Sequence, residues 1–288
     1  PSRLIRASAF GMRWMLRLLG GMFLVLLLAW VMLHYLIVPR IAEMRPRLEI
    51  LASDAIGVSV KIGEIEALPG GLVPSFELRN VLLLDAQGRE SLRLPRVLAS
   101  LSLSSLFRLD FEQLYVERPV LEVRRARDGR VYVAGLPIIR AVQDTDSPAA
   151  DWFFSQHEFV IRQAAVHLID EQTNSEPLVL SQLDFLMRNG ARSHEFRVDA
   201  ALPEGWGDRL HLVGKFRQPL LSTRPGRWTD WHGQAFADFS RVDIARVLPR
   251  MSQAEGVTLQ RGLGALGVWA NIRKGELVGA TADVALVD

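Results

Sequence analysis

The feature that constrains this chain most is an unbroken apolar segment near its N-terminus. Residues 18–38 read LLGGMFLVLLLAWVMLHYLIV, 21 residues in which His34 is the only strongly polar side chain. As a helix this segment spans roughly 31 Å, close to the thickness of the hydrocarbon core of a bilayer. A cleaved signal peptide is the alternative, but its apolar region is usually shorter, and residues 35–40 contain no small-x-small cleavage site. We therefore predict an uncleaved transmembrane helix over residues 18–38.

Charge sets the predicted orientation of this helix. Residues 1–17 form a basic segment with four arginines; residues 1–40 carry a net charge of +5, and residues 41–288 carry −3. The positive-inside rule then places the basic segment in the cytoplasm and the body across the membrane. Four side chains near the ends of the apolar segment are predicted membrane-interface anchors: Trp14, Arg17, Trp30 and Tyr35. The mildly acidic body argues against nucleic acid as a partner.

Beyond the apolar segment the pattern changes from helix to strand. A short juxtamembrane helix is predicted within residues 39–57, because Pro46 suits its first turn and Gly57 its C-terminal cap. From residue 58 onward, apolar and polar residues alternate in short runs, which is typical of strands with one apolar and one polar face. Turn signals such as Asp128-Gly129 separate these runs. The body is therefore predicted to be mostly β, with a few short helices.

Two features suggest how the body is organised. The stretch QDTDSPAA, residues 143–150, predicts a linker between a first β unit, residues 58–142, and a second, residues 151–288. A short helix is also predicted around residues 242–248, ending before Pro249. An internal echo occurs at an offset of 45 residues, and it matches Val116, Leu121 and Val123 with Ile161, Val166 and Leu168. Such an echo is typical of repeated strand units in an elongated sheet.

The sequence carries no recognisable catalytic or metal-binding motif. It contains no cysteine, which excludes disulfides, thiol nucleophiles and cysteine-ligated metals. The six histidines stand at no metal-ligand spacing, and no nucleophile-elbow or phosphate-loop motif occurs. Asp144 and Asp146 resemble the start of a calcium loop, but no further ligand follows at the required positions. We predict neither an enzyme nor a bound cofactor or metal.

The order of the strand motifs resembles a known family. Residues 58–67 read VSVKIGEIEA, and three further runs follow, PSFELRNVLLLD, LRLPRV and LYVERPVLEVR. Together with Leu202-Pro203 and the glycines before Trp269, this order resembles the N-terminal part of AsmA-like proteins of Gram-negative envelopes, particularly the YhdP-like branch. The resemblance covers most of the chain. Family members are longer, so the second β unit is expected to continue beyond Asp288.

The resemblance implies both a fold and a function. It implies an elongated, curved, U-shaped groove of antiparallel β-sheet that crosses the periplasm from an anchor in the inner membrane. It also implies that the apolar interior shields phospholipid acyl chains on their way to the outer membrane. We predict that eight side chains face this interior: Leu101, Leu103, Leu121, Val123, Val166, Leu168, Val198 and Leu212.

The residues themselves leave alternatives open. Period-two alternation fits an open trough, and it fits equally well a closed sandwich whose apolar faces meet each other. In the closed case the protein is expected to act as a periplasmic scaffold, which binds other envelope proteins through its sheet edges and carries no lipid. An enzyme of envelope metabolism is the third alternative, and it requires converging ionisable groups that the sequence does not show.

Overall fold

The computed structural model describes residues 2–32, 35, 38–68, 75–85, 87–101, 111–139, 148–172, 177–220, 222, 224–243 and 262–287. Clustering of contacts divides the chain into two compact units, residues 1–45 and 46–288. The first unit contains helix α1, Ser2–Met32, and a 3-10 helix, Val38–Met44. Within α1, the 19 residues Trp14–Met32 are long and apolar enough to cross a membrane. The apolar helix thus fits a single-pass membrane anchor.

The predicted interface anchors lie at both ends of this apolar stretch. Trp14 begins it, and the guanidinium of Arg17 lies 5.8 Å from the centre of the Trp14 ring. Trp30 lies near the end of α1, and Tyr35 follows it with an exposed side chain. α1 begins well before the predicted span of residues 18–38, while Val38 already belongs to the 3-10 helix. His34 lies outside the described residues.

The second unit is built on a single 14-stranded sheet, accompanied by short helices. The helices are α2, Arg45–Ile56, α3, Pro148–Ser155, and a 3-10 helix, Trp228–Asp230. The strands are β1 Ser59–Leu68, β2 Ser75–Leu84, β3 Glu90–Leu101, β4 Phe111–Glu117, β5 Val120–Arg125, β6 Val131–Val133, β7 Leu136–Ile139, β8 Glu158–Asp170, β9 Leu178–Asn189, β10 Ser193–Ala201, β11 Arg209–Arg217, β12 His232–Asp243, β13 Leu263–Arg273 and β14 Glu276–Val287. The prediction of a mostly β fold with an open, curved sheet and few helices is confirmed.

Strand order follows chain order with one interruption. The main path runs β1-β2-β3-β4-β8-β9-β10-β11-β12-β13-β14, and β5, β6 and β7 branch from it. Both β4 and β5 pair parallel to β8, whereas the other pairings are antiparallel. β4 and β5 are two halves of one line of chain, separated only by Arg118 and Pro119, and both lie along β8.

The parallel pairing gives the 45-residue echo a structural meaning. Each echoed residue lies directly opposite its match in the parallel ladder: Val116 and Ile161, Leu121 and Val166, Val123 and Leu168. A side-chain hydrogen bond follows the same offset, because Gln113 Nε2 donates to Glu158 Oε1 at 2.6 Å. The echo therefore marks two similar strands that lie side by side without stagger.

Helix α2 protects the first edge of the sheet. Ser53 Oγ accepts the backbone N–H of Val60 at 2.8 Å, and Glu49 Oε1 accepts that of Ile62 at 2.8 Å. Gly57, at φ +78°, ends the helix in the left-handed conformation predicted for its cap, and its N–H donates to the Ser53 carbonyl. Side chains of α2 thus satisfy backbone donors that an uncovered edge strand leaves available for pairing with another chain.

Two predicted local features differ from the structure. Residues 148–150 of the predicted linker form the first turn of α3 rather than irregular chain. Val242 and Asp243, where a helix was predicted, end strand β12, while residues 244–250 lie outside the described part. The physical reason in the second case is packing, since Val242 is 0% exposed and contacts the core around Phe239 and Leu266.

Candidate functional site

A line of strand irregularities crosses the sheet, and we call it the crease. We call the face of the sheet that carries the cavity and the cores described below the inward face, and the opposite face the outward face. On seven strands the alternation between the two faces slips, because two successive outward residues lie between two apolar inward residues. These outward pairs are Gly63-Glu64, Arg79-Asn80, Pro95-Arg96, Glu117-Arg118, Arg162-Gln163, Ser181-Gln182 and Ser240-Arg241. In four of them the second residue has a positive φ of 48° to 53°: Asn80, Arg118, Gln163 and Gln182. Non-glycine residues seldom adopt this conformation, so its recurrence marks a built feature.

The slips line up from strand to strand. Gly63 and Asn80 face each other between β1 and β2, and Asn80 stands next to Pro95 on β3. Further along, the N–H of Arg118 donates to the Arg162 carbonyl at 2.8 Å. Aligned bulges bend a sheet and also keep apolar side chains on one face beyond the slip. The inward face is therefore apolar on both sides of the crease.

The inward face of the first strands lines a partly open cavity of about 340 Å³, which we call the front chamber. Among the described residues the lining is aliphatic, aromatic or proline, and it comes from α2, β1–β5 with Pro119 between β4 and β5, α3 and β8. Ala52 and Ile56 of α2 line one part of its wall, and Trp152 and Phe153 of α3 line another. The volume lies within the roughly 300–1,000 Å³ of typical small-molecule pockets. The described part of the lining exposes no polar surface, so it suits an apolar group.

From β8 onward in the strand order, side chains of the inward face pack on one another in two clusters. The middle core consists of Ala164, Val166, Leu180 and Ala200, and the rear core consists of Phe239, Val242 and Leu266. Leu202 contacts both cores, and Trp206, from the β10–β11 connection, packs on the rear core. The same face is thus open at the front, packed at the middle and rear cores, and exposed again at Val284 and Leu286 of β14.

The predicted groove residues share this inward face where the structure describes them. Leu121 lines the front chamber, and Val166 belongs to the middle core, against which Val123 and Leu168 pack. Val198 and Leu212 are register partners and continue the cross-strand row that begins with Val116, Ile161 and Phe185. Leu101 ends β3 with its side chain outside the described part, where Leu103 also lies. Contact of these residues with lipid stays a prediction.

Aromatic side chains around α3 lie between the front chamber and the buried ring of His194. We call Trp152, Phe153, Phe154, Phe159 and Trp231 the aromatic barrier. The rings of Phe153 and Phe159 meet edge to face at 4.8 Å, and those of Phe154 and Trp231 at 4.7 Å. The sequence reading missed this barrier. A signal was present, since Pro148 suits a first helical turn and the residues DWFF follow closely.

A clamp holds α3 in place. Arg224 donates to Asp151 Oδ2 from Nε at 2.7 Å and from a terminal nitrogen at 2.6 Å, while Asp151 Oδ1 accepts the Gly226 N–H at 2.9 Å. At the other end of the helix, the buried amide of Gln156 donates to the Trp152 carbonyl at 2.6 Å and accepts the Phe111 N–H at 2.8 Å. The short helix is therefore tied to the β11–β12 connection through Asp151 and to the start of β4 through Gln156.

A buried polar cluster lies behind the barrier. The side-chain nitrogen of Asn189 donates to the Gln156 carbonyl at 2.8 Å, so its oxygen faces His194 and accepts from Nδ1 at 2.8 Å. His194 Nε2 lies 3.1 Å from Gln218 Oε1, and its ring stacks on Trp231 at 4.0 Å. Burial lowers the pKa of His194 below its usual 6.5, against the opposing effect of Gln218. His194 is therefore harder to protonate than an exposed histidine.

The outward face along the crease is charged. Arg79 and Arg96 both bind Glu77, at 2.8 and 3.1 Å, and Arg96 also binds Glu117 at 2.9 Å. Ion pairs continue the row further along the sheet: Arg162 with Asp184 and Arg197 with Asp199. Hydrogen bonds from Arg96 and Arg79 lower the pKa of Glu77, although its burial opposes the shift. In the described residues of the first strands, the apolar surface therefore lies on the inward face.

The described residues contain no group of three His, Cys, Asp or Glu placed to hold a metal ion. The perturbed ionisable groups on the outward face belong to ion pairs, and His194 is buried against Asn189, Gln218 and Trp231. The arrangement can bury an apolar ligand, and it offers no evident chemistry to transform one.

Comparison with known proteins gives one match. Residues 3–288 match a family model described as YhdP protein. No curated protein matches the chain, and no solved structure matches it.

Proposed function

The chain belongs to the YhdP protein family, and from this membership we propose that it is the membrane-anchored part of a bridge-like lipid transporter. It shields phospholipid acyl chains on its inward face while they cross the periplasm from the inner toward the outer membrane. The observation that carries the proposal is the front chamber, a cavity of about 340 Å³ with a wholly apolar lining.

The energetics of transfer support this role. Each buried methylene contributes about 0.8 kcal/mol, so moving a sixteen-carbon chain into water costs on the order of 12 kcal/mol. A phospholipid with two such chains faces about twice that cost. An apolar surface that receives the chains removes most of the barrier without any chemical step, so the proposed protein is a carrier rather than an enzyme and needs no cofactor.

The proposal includes a location. The apolar helix α1 anchors the chain in the inner membrane, with the basic N-terminal residues in the cytoplasm and the sheet in the periplasm. The inner membrane supplies the lipid, and the polar outward face meets the aqueous periplasm. The charged row along the crease supports this assignment, because its ion pairs are stable in water. Contact with acyl chains would remove their hydration and destabilise them.

The test is site-specific photo-crosslinking in cells or in membranes. A photoreactive residue replaces Leu121 or Leu94, which line the front chamber, and the matched controls are their exposed neighbours Glu122 and Arg93. We expect phospholipid adducts at the first pair and none at the second. Folded protein that gives no lipid adduct at either chamber position contradicts the proposal.

One observation favours a second function, that of a scaffold for other envelope proteins. In the described part of the sheet β14 forms an edge, and it exposes four large apolar side chains: Leu277, Val278, Val284 and Leu286. An exposed apolar edge strand is suited to pairing with a strand of another protein. Crosslinks from Val284 to protein, with none to lipid from the chamber, are expected if the scaffold function is the correct one.

A further inference from the structure

The structure assigns a second role to the aromatic barrier, which rests on the proposed function: we propose that Phe153 sets the length of the acyl chain that the front chamber holds. Phe153 lines the chamber from α3, together with its neighbour Trp152. Among the described residues, the lining comes from α2, α3 and strands up to β8, with no contribution from β9–β14. The chamber therefore ends where α3 meets β8.

The end wall is braced from behind. The ring of Phe153 packs edge to face at 4.8 Å on Phe159, which also lines the chamber, and at 5.0 Å on Phe154, which does not. Phe154 in turn packs on Trp231, which stacks on the buried ring of His194. A wall whose rings are supported on the far side cannot yield easily to a longer ligand, because protein interiors are closely packed.

The anchoring of α3 adds to this rigidity. The carboxylate of Asp151 is bound by Arg224 and by the Gly226 N–H, which lie more than 70 residues further along the chain. Gln156 fixes the other end of the helix through the Trp152 carbonyl and the Phe111 N–H. Phe153 is thus presented to the chamber by a helix that is fastened at both ends.

The size of the chamber points to one acyl chain. An apolar cavity of roughly 150 Å³ holds benzene, with its six carbons. On that scale 340 Å³ holds about fourteen carbons, which is one chain of ordinary length rather than two. The second chain of a phospholipid then lies outside the chamber, and the end wall limits only the chain inside it.

The geometry supplies a matched control in the adjacent residue. Phe153 and Phe154 are the same residue type on the same helix, but only Phe153 lines the chamber. Phe153→Ala removes a six-carbon ring from the end wall and lengthens the chamber, whereas Phe154→Ala removes a ring from the far side. Phe153→Trp enlarges the wall and shortens the chamber, so it provides an effect of opposite sign that a loss of folding does not mimic.

The experiment measures the affinity for saturated fatty acids of about ten to twenty carbons. The full chain is first exchanged from detergent into an amphipathic polymer, so that no free micelles compete for the fatty acid. Each affinity is measured by displacement of a fluorescent fatty acid, and circular dichroism checks folding. In the wild type, affinity is expected to rise about fourfold per methylene until the chamber is full, and then to level off. Phe153→Ala should move the plateau to chains about two to four carbons longer. Phe153→Trp should move it to shorter chains, and Phe154→Ala should move it less than Phe153→Ala does, because the ring that faces the chamber remains.

The outcomes separate this inference from the proposed function. A plateau that stays at the same length in the wild type, Phe153→Ala and Phe153→Trp overturns the role of Phe153 and leaves acyl-chain binding intact. A plateau that moves equally in Phe154→Ala also overturns it, because the wall is then loosened rather than shortened. Failure of the folded wild type to bind any of the fatty acids contradicts the proposed function as well.

Discussion

Strands β1–β5 and strands β9–β13 present the same kind of apolar face, but they use it differently. At the front the side chains line a cavity of about 340 Å³ between α2 and α3. At the rear Val242 is 0% exposed and Leu266 2% exposed, because the β10–β11 connection brings Trp206 onto them. The strands are alike, and the connections between them decide whether their inward face is open or packed. A groove of this kind can therefore be closed locally without any change in strand pattern.

Truncation of one leucine in each region tests this difference most strongly. Leu266→Ala removes a packed side chain and is expected to lower the free energy of unfolding by about 3 kcal/mol, since the rear core cannot collapse around the cavity. Leu94→Ala removes a half-buried side chain that faces the chamber, and about 1 kcal/mol is expected. Denaturant unfolding of the full chain in micelles, followed by tryptophan fluorescence, measures both. Equal losses would show that the front is packed as tightly as the rear.

Loss of the clamp on α3, the helix between the two regions, should have the next largest effect. Asp151→Asn weakens hydrogen bonds from Arg224 and Gly226, and a loss of about 1–2 kcal/mol is expected because these are charge-assisted and partly buried. Limited proteolysis should cut α3 faster in this variant. The control is Glu171→Gln, which breaks the more exposed pair with Arg124 and should change stability by less than about 0.5 kcal/mol. If both variants behave alike, Asp151 does not fasten the helix.

A lower pH should destabilise the region around His194, behind the aromatic barrier, before it destabilises the front chamber. The pKa of His194 in the folded protein lies below its usual 6.5, so in that window the unfolded chain binds a proton that the folded chain does not. Stability is then constant above pH 6.5 and falls as the pH drops below it, by at most about 1.4 kcal/mol per pH unit. Unfolding midpoints at a series of pH values measure this slope. In His194→Gln the slope should disappear, and a slope that persists there belongs to another group.

The smallest effect is expected on the outward face. Glu117→Gln breaks one partly exposed ion pair with Arg96, and a loss of about 0.5 kcal/mol or less is expected. The inward face stays unchanged, so lipid crosslinking from Leu121 should be as in the wild type. Thermal unfolding and the crosslinking yield are measured on the same preparation. A large loss of crosslinking would mean that the charged row on one face controls the shape of the other.

Period-two alternation was sufficient to predict much of the fold. It placed Leu121, Val123, Val166 and Leu168 on strands, and these four side chains lie together on the inward face. The 45-residue echo indicated repeated strand units, but the sequence did not indicate that these strands are neighbours or that they run parallel. These features were predictable because burial on one face of a strand leaves a direct pattern in the residues.

The remaining features depend on contacts between distant residues. Two polar residues in succession, as in Arg79-Asn80, resemble a break in a strand, and only their alignment with Pro95 and Arg118 identifies a crease. The helix α3 begins inside a stretch that was predicted as a linker, and it is fixed by Arg224, which lies 73 residues from Asp151. Whether apolar side chains line a cavity or pack on each other depends on such tertiary contacts, which alternation does not encode.

The crease also has a mechanical consequence. The main path of the sheet contains ten strand spacings, which extend about 48 Å at about 4.8 Å each. A flat ribbon of that length flexes readily about any line drawn across it, whereas a ribbon folded along its length acts as a girder and resists such bending. The aligned slips from Gly63 to Ser240 run along the direction in which strands are added. The residues inserted in these strands, from β1 to β9 and again in β12, therefore stiffen the sheet at right angles to the strand direction.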